Sequence, residues 1–183
     1  LGLWAKSTPA QRLGGVAGID LQRKTRSPLV PGEIPDAMLA AVEAGTPLFA
    51  IAQEDSLADG LATRLSAAGA FAYKGAVGKF RAPWMGNWYF LRAHPVYDGL
   101  PAGQAMALLY QAHGRSAGGL IVDGPGVDVF VGYGRDHDRA VGAGTFTAKL
   151  GKGKVLFHRV PDFSEPMQQR FLSNALAWLG GAA

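Results

Sequence analysis

Cysteine is missing from all 183 positions, which excludes disulfides, thiolate metal centres and a cysteine nucleophile. Charge is sparse too. Only 17% of residues are charged and 48% are hydrophobic, the reverse of the balance that keeps a chain disordered. No apolar run reaches the roughly 20 residues of a membrane-spanning helix, and no secretory leader is visible, so no membrane partner is expected. The cationic excess is four, from 18 Lys and Arg against 14 Asp and Glu. The densest basic group, Arg23-Lys24-Thr25-Arg26, lacks the interleaved aromatics of a nucleic-acid surface and reads as a solvated loop; no nucleic-acid partner is expected. Repeats and internal linkers are absent as well.

What is present is a single-domain length that buries about 70% of its unfolded surface, with 26 glycines and 11 prolines to punctuate it. Residues 6–32 read as a long loop with one short strand near Gly15 to Leu21. Ile34, Met38 and Val42 recur at four-residue spacing before Gly45, which predicts a helix of about three turns entered at Pro35. The apolar run 46–52 predicts a strand covered on both faces. Asp55 then opens a second helix with Leu57, Leu61 and Leu65 on one face, stopped at Gly69 and followed by a strand at Phe71 to Tyr73. This helix–strand rhythm argues for a parallel sheet.

The second half differs in texture. Asn87 to Leu91, Ala105 to Gln111, Leu120 to Val122, Val127 to Val131, Ala140 to Ala148 and Lys154 to His158 read as strands joined by Gly-rich turns, and several neighbours are expected to be antiparallel. Ser164 caps a last helix, whose stripe includes Met167, Phe171, Ala175 and Trp178 and ends at Gly180. The fold class expected is therefore α/β: a three-layer, mainly parallel sheet flanked by helices, with antiparallel additions in the second half. One domain spans 1–183. Because the chain opens at Leu1 in a strand-like run without a methionine, it reads as the C-terminal fragment of a larger enzyme.

The stretch Ala44-Gly45-Thr46-Pro47-Leu48-Phe49-Ala50-Ile51-Ala52-Gln53 resembles the strand and sharp turn that present the cysteine of class I glutamine amidotransferases. Alanine occupies the nucleophile's place at position 52. Phe157-His158-Arg159-Val160-Pro161-Asp162 is similar to a loosened form of that family's His and acid motif, so the resemblance implies vestigial positions Ala52, His158 and Asp162 and no catalytic residue. A second stretch, Ala93-His94-Pro95-Val96-Tyr97-Asp98-Gly99-Leu100-Pro101, resembles non-catalytic amidotransferase-like domains of sugar-processing proteins, and together with residues 81–90 and 132–139 it is similar to C-terminal regions of bacterial glycoside hydrolases, of the β-galactosidase superfamily in particular. The resemblance implies a flavodoxin-like accessory domain that packs on the catalytic domain of its parent chain or on a second subunit and supports assembly or the active-site rim.

Other residues invite chemistry. Asp136-His137-Asp138 has the residue types of a metal or acid/base site. In a strand, however, the two carboxylates would share one face and His137 the other, and Arg135 and Arg139 are ready ion-pair partners. Neither a metal nor a cofactor is expected. Trp84 and Trp88 offer flat faces to a sugar, or belong to the core. Candidate contacts to substrate or partner are thus Trp84, Trp88, Tyr133, Arg135, Asp136, His137, Asp138 and Arg139. His94 and His113 read as structural. Two rival functions remain: a divergent hydrolase using His158 and Asp162 or Asp136 and His137, and a carbohydrate-binding module displaying the tryptophans.

Overall fold

The computed structural model describes residues 17–20, 34–52, 55–78, 87–107, 118–135, 139–160 and 164–181. Helices and strands alternate at first and strands then accumulate: β1 Ala17–Asp20, α1 Asp36–Glu43, β2 Leu48–Ile51, α2 Asp55–Ala67, β3 Ala72–Gly78, β4 Asn87–Leu91, β5 Ala105–Ala107, β6 Gly118–Asp123, β7 Asp128–Arg135, β8 Val141–Leu150, β9 Gly153–His158 and α3 Glu165–Leu179. A short 3-10 turn, Pro95–Tyr97, lies between β4 and β5.

The continuous apolar run of β2 is explained by its surroundings. Side chains alternate along a strand, so Leu48, Ala50 and the following Ala52 enter one cluster with Leu39 and Val42 of α1 and Leu61 and Leu65 of α2. Phe49 and Ile51 enter a second cluster with Phe171, Ala175 and Leu179 of α3. β9 divides in the same way, Val155 and Phe157 to the first side and Leu156 to the second. Helices therefore cover both faces at this strip.

The sheet runs β1-β2-β9-β8-β7-β4-β5, with β6 branching from β8 and carrying β3. Here the expectation of a mainly parallel sheet needs correction. Only β1 with β2 and β2 with β9 pair in parallel; every other described pair is antiparallel. Parallel pairing requires a crossover long enough to return the chain to the same end, and α1 provides one between β1 and β2. The later connections include tight turns such as Gly151-Lys152 between β8 and β9, which can only reverse direction. The strand after α2 was expected to extend the parallel set, yet β3 pairs with β6 alone.

A β-bulge at Gly144 reorganises the sheet. Val131 pairs with Thr145 and Gly132 with Ala143, so Gly144 is the extra residue. A Cβ there would lie 2.8 Å from the Tyr89 ring. The inserted residue switches the faces of β8: Ala143 packs with the α1 and α2 cluster, whereas Thr145 stands beside His158 on the α3 side.

Candidate functional site

The parallel strands β2 and β9 end together, with Ile51 opposite His158 and the Ala52 N–H donating to the His158 carbonyl at 3.0 Å. The chain then leaves β2 into α2 on one face and β9 into α3 on the other. Such a divergence is the usual ligand position in an open α/β sheet, but here Ile51, Ala52, His158, Arg159 and Val160 are all buried.

The side chains at these strand ends do not assemble as the vestigial set implied. Ala52 faces the α1 and α2 cluster, while the His158 imidazole stacks on Phe171 at 4.0 Å on the opposite face. A side chain at 52 would thus be separated from His158 by the sheet. His158 is fully buried, and its Nδ1 is 2.9 Å from Thr145 Oγ1. Burial pushes its pKa down to about 3, against a smaller upward effect of a backbone hydrogen bond to Val160. The imidazole is therefore neutral and a poor match for general-base work near neutral pH. Tyr97 continues the buried string: its ring stacks on Phe171 at 5.5 Å, and burial raises its pKa. Asp162 lies outside the described residues.

Arg159 follows the buried imidazole. Its backbone N–H donates to the Gly144 carbonyl at 2.8 Å, and its guanidinium, wholly enclosed, donates through Nη2 to Asp55 at the head of α2. Burial lowers its pKa to about 10, so the cation persists at neutral pH.

The expected contact residues separate in a different way. On β4, Tyr89 and Leu91 are buried, whereas Trp88 is 36% and Phe90 53% exposed. Trp88 pairs with Gly134, which pairs with Val141, itself 69% exposed. Phe90 pairs with Ala105 and Gly132, and its ring leans over Gly134, where an added Cβ would sit 3.6 Å from Cε2. The result is an apolar sheet face with aromatic walls and a glycine floor. Tyr133 is turned inward, buried against Tyr89 with ring centroids 5.3 Å apart. Arg135 ends β7 half-buried; exposed Arg139 takes the left-handed φ of 55° at the start of the return. Trp84, Asp136, His137 and Asp138 lie outside the described residues, as does His113. His94 packs flat on Phe130 at 3.7 Å, and its pKa is lowered by burial first and by Arg92 second.

A third feature is an open groove of about 1000 Å³ lined by residues that include Phe71, Asp123 and Lys149. Its Asp123 carboxyl is held below the usual range by the Lys74 ammonium at 2.8 Å. The lining also holds Ser66, whose Oγ accepts from the Tyr73 N–H at 3.1 Å. Among the described residues, no three His, Asp or Glu side chains converge as metal ligands, and no helix is long and apolar enough to cross a membrane.

As contact residues Phe90, Val141 and Arg159 escaped the sequence reading, and Asp55 was read only as the opening of a helix. Phe90 carried no signal, because Trp88 to Leu91 is apolar at every position. Arg159 did: it is a cation between His158 and Val160 at a strand end.

No protein-family description and no curated protein matches the chain. Among solved structures it is similar, over 78% of its length, to a cold-adapted β-galactosidase from Rahnella sp. R3, at 12% identity and a TM-score of 0.46, spanning 20% of that chain. A GH42 β-galactosidase is similar over 79% of this chain and 20% of its own, at 14% identity and a TM-score of 0.43. The cytoplasmic protein STM1381 from Salmonella typhimurium LT2 is similar over 80% of this chain and 62% of its own, at 17% identity and a TM-score of 0.49.

Proposed function

We propose that this chain is a non-catalytic, amidotransferase-like accessory domain of a carbohydrate-active enzyme, a β-galactosidase-like glycoside hydrolase, and that it meets the catalytic domain or a second subunit through the open face of β4, β7 and β8. The observation that carries the reading is the exposed row of Trp88, Phe90 and Val141 over Gly132 and Gly134. Large apolar side chains gathered on one open sheet face mark a contact surface, and aromatic residues are the enriched anchors of such surfaces. The sugar-processing context rests on the resemblance of residues 93–101, together with 81–90 and 132–139. A silent domain agrees with Ala52, which offers no nucleophile, and with the neutral, enclosed His158.

The test is made in the parent enzyme. Trp88→Asp and Phe90→Asp place a carboxylate in the apolar row; subunit association by light scattering and turnover of a β-galactoside are then measured. Loss of association, or of turnover at unchanged thermal stability, is the expected result. Parent-like association and turnover in both variants would remove the proposal.

A sugar-binding reading has one observation of its own, since Phe90 and Trp88 beside glycines present the flat apolar relief that suits the C–H face of a pyranose. Quenching of tryptophan fluorescence by galactose or lactose, lost in Trp88→Ala, would favour it over protein contact.

A further inference from the structure

We infer that the α3 side of the sheet carries a cationic patch, formed by Arg92, Lys149 and Lys154 around Trp178, that receives an acidic segment of a partner protein. The patch is independent of the open face of β4, β7 and β8, which lies on the other side of the sheet. Strand register supplies the first observation. Lys149 of β8 stands directly opposite Lys154 of β9, so the two side chains share one face. Both are exposed, and among the described residues neither ammonium has a carboxylate within ion-pair distance. Like charges placed directly opposite cost stability. The fold itself asks only for a polar residue at each position, and a glutamate at either would turn the repulsion into attraction.

The second observation is that these cations stand on a fixed aromatic base. Lys154 Nζ lies 3.9 Å from the centroid of the Trp178 ring, a cation–π contact. Trp178 meets His94 edge-on at 5.1 Å, and His94 stacks on Phe130 at 3.7 Å. The Arg92 guanidinium sits 5.4 Å over the same Phe130 ring. Charged ends held in this way lose less side-chain freedom when a partner arrives. His94 reports the resulting field: after burial, Arg92 lowers its pKa most, Lys154 lowers it further, and Asp128 opposes them.

The partner's chemistry follows from what the patch offers. It supplies cations, so the partner carries anions. Asp128, 53% exposed and paired with Arg92 at 2.8 Å, places a carboxylate among them, which opposes a continuous phosphate backbone. The Trp178 ring is packed against the α3 core cluster and lies under Lys154, so it is not displayed as a stacking platform for bases. Aspartate or glutamate side chains spaced along a polypeptide can reach Lys149 and Lys154 and pass by Asp128.

The experiment follows the fluorescence anisotropy of a labelled oligoglutamate peptide titrated with the chain. Saturable binding that weakens with added sodium chloride is expected. Lys149→Glu is expected to bind about tenfold more weakly, with Lys149→Gln between it and the parent. Arg64→Gln removes the same single charge as Lys149→Gln but on the α1 and α2 side, where Arg64 pairs with Asp36, and is expected to bind as the parent does. A separate reading is stability: relief of the cross-strand repulsion should raise the melting temperature of Lys149→Glu by about 1–3 °C. Absence of salt-sensitive binding, or equal weakening by Lys149→Gln and Arg64→Gln, would overturn the inference. So would a lower melting temperature of Lys149→Glu, or tighter binding of an oligothymidylate than of the peptide.

Discussion

At the β2-β9 strip, helices close both faces of the sheet, and even the polar His158 is enclosed, with Thr145 of β8 beside it. At β4-β7-β8 the same sheet closes one face, around Tyr89, Val131 and Tyr133, and leaves Trp88, Phe90 and Val141 open on the other. The difference separates two uses of apolar sequence. In the strip, an apolar residue holds the domain together. On the open face it contributes little to this chain alone and remains available to something outside it.

The strongest way to break that contrast is to excavate the strip. Phe157 is buried and stacked on Phe146 at 5.3 Å, so Phe157→Ala is expected to destabilise by about 3–5 kcal/mol. Urea unfolding measures it; a cost close to that of a surface change would refute the picture of a closed core. Next comes acid. His158 has its folded pKa depressed to about 3 from an ordinary 6.5, so between those values the unfolded chain binds the extra proton. Stability from this group is fully present above about pH 6.5 and falls as pH drops toward 3, with a slope approaching about 1.4 kcal/mol per pH unit. His94, lowered by burial and Arg92, acts in the same direction. His158→Gln is therefore the informative comparison, and its urea midpoint should fall less steeply with acid than the parent's.

The open face should respond weakly in the chain by itself. Trp88→Ser is expected to change stability by less than about 1 kcal/mol, and a loss comparable to Phe157→Ala would make Trp88 a core residue after all. Smaller still is the exposed ion pair of Arg92 with Asp128 at 2.8 Å. Asp128→Asn should cost under about 1 kcal/mol, a difference that shrinks with added salt.

Much of the strip was legible in the sequence, because a strand covered on both sides must be apolar at every position and the helices beside it must repeat at 3.6. Hence 46–52 pointed to β2, Leu57, Leu61 and Leu65 to α2, and Phe171 and Ala175 to α3. Strand direction was legible in the second half, where tight turns join antiparallel neighbours, but not for β3. Phe71 to Tyr73 reads alike whether its partner runs parallel or antiparallel, and the partner, β6, begins 40 residues later than residue 78 ends β3. The face of β4 was also hidden, since Trp88-Tyr89-Phe90-Leu91 has no polar position to mark the outside. Nor could the motif around His158 be placed on a face, because the bulge at Gly144 decides what stands next to it. Arg159 is the instructive omission. The histidine drew the eye for its chemistry, while the neighbouring cation carried the greater demand for a partner.

The central claim, that the open face is a contact surface for a neighbouring protein, is tested most directly by hydroxyl-radical footprinting of Trp88 and Phe90 in the isolated chain and in the assembled parent enzyme. The account expects both to be labelled in isolation and protected on assembly, with buried Phe157 unlabelled in each. Equal labelling of Trp88 and Phe90 in the two states would contradict it.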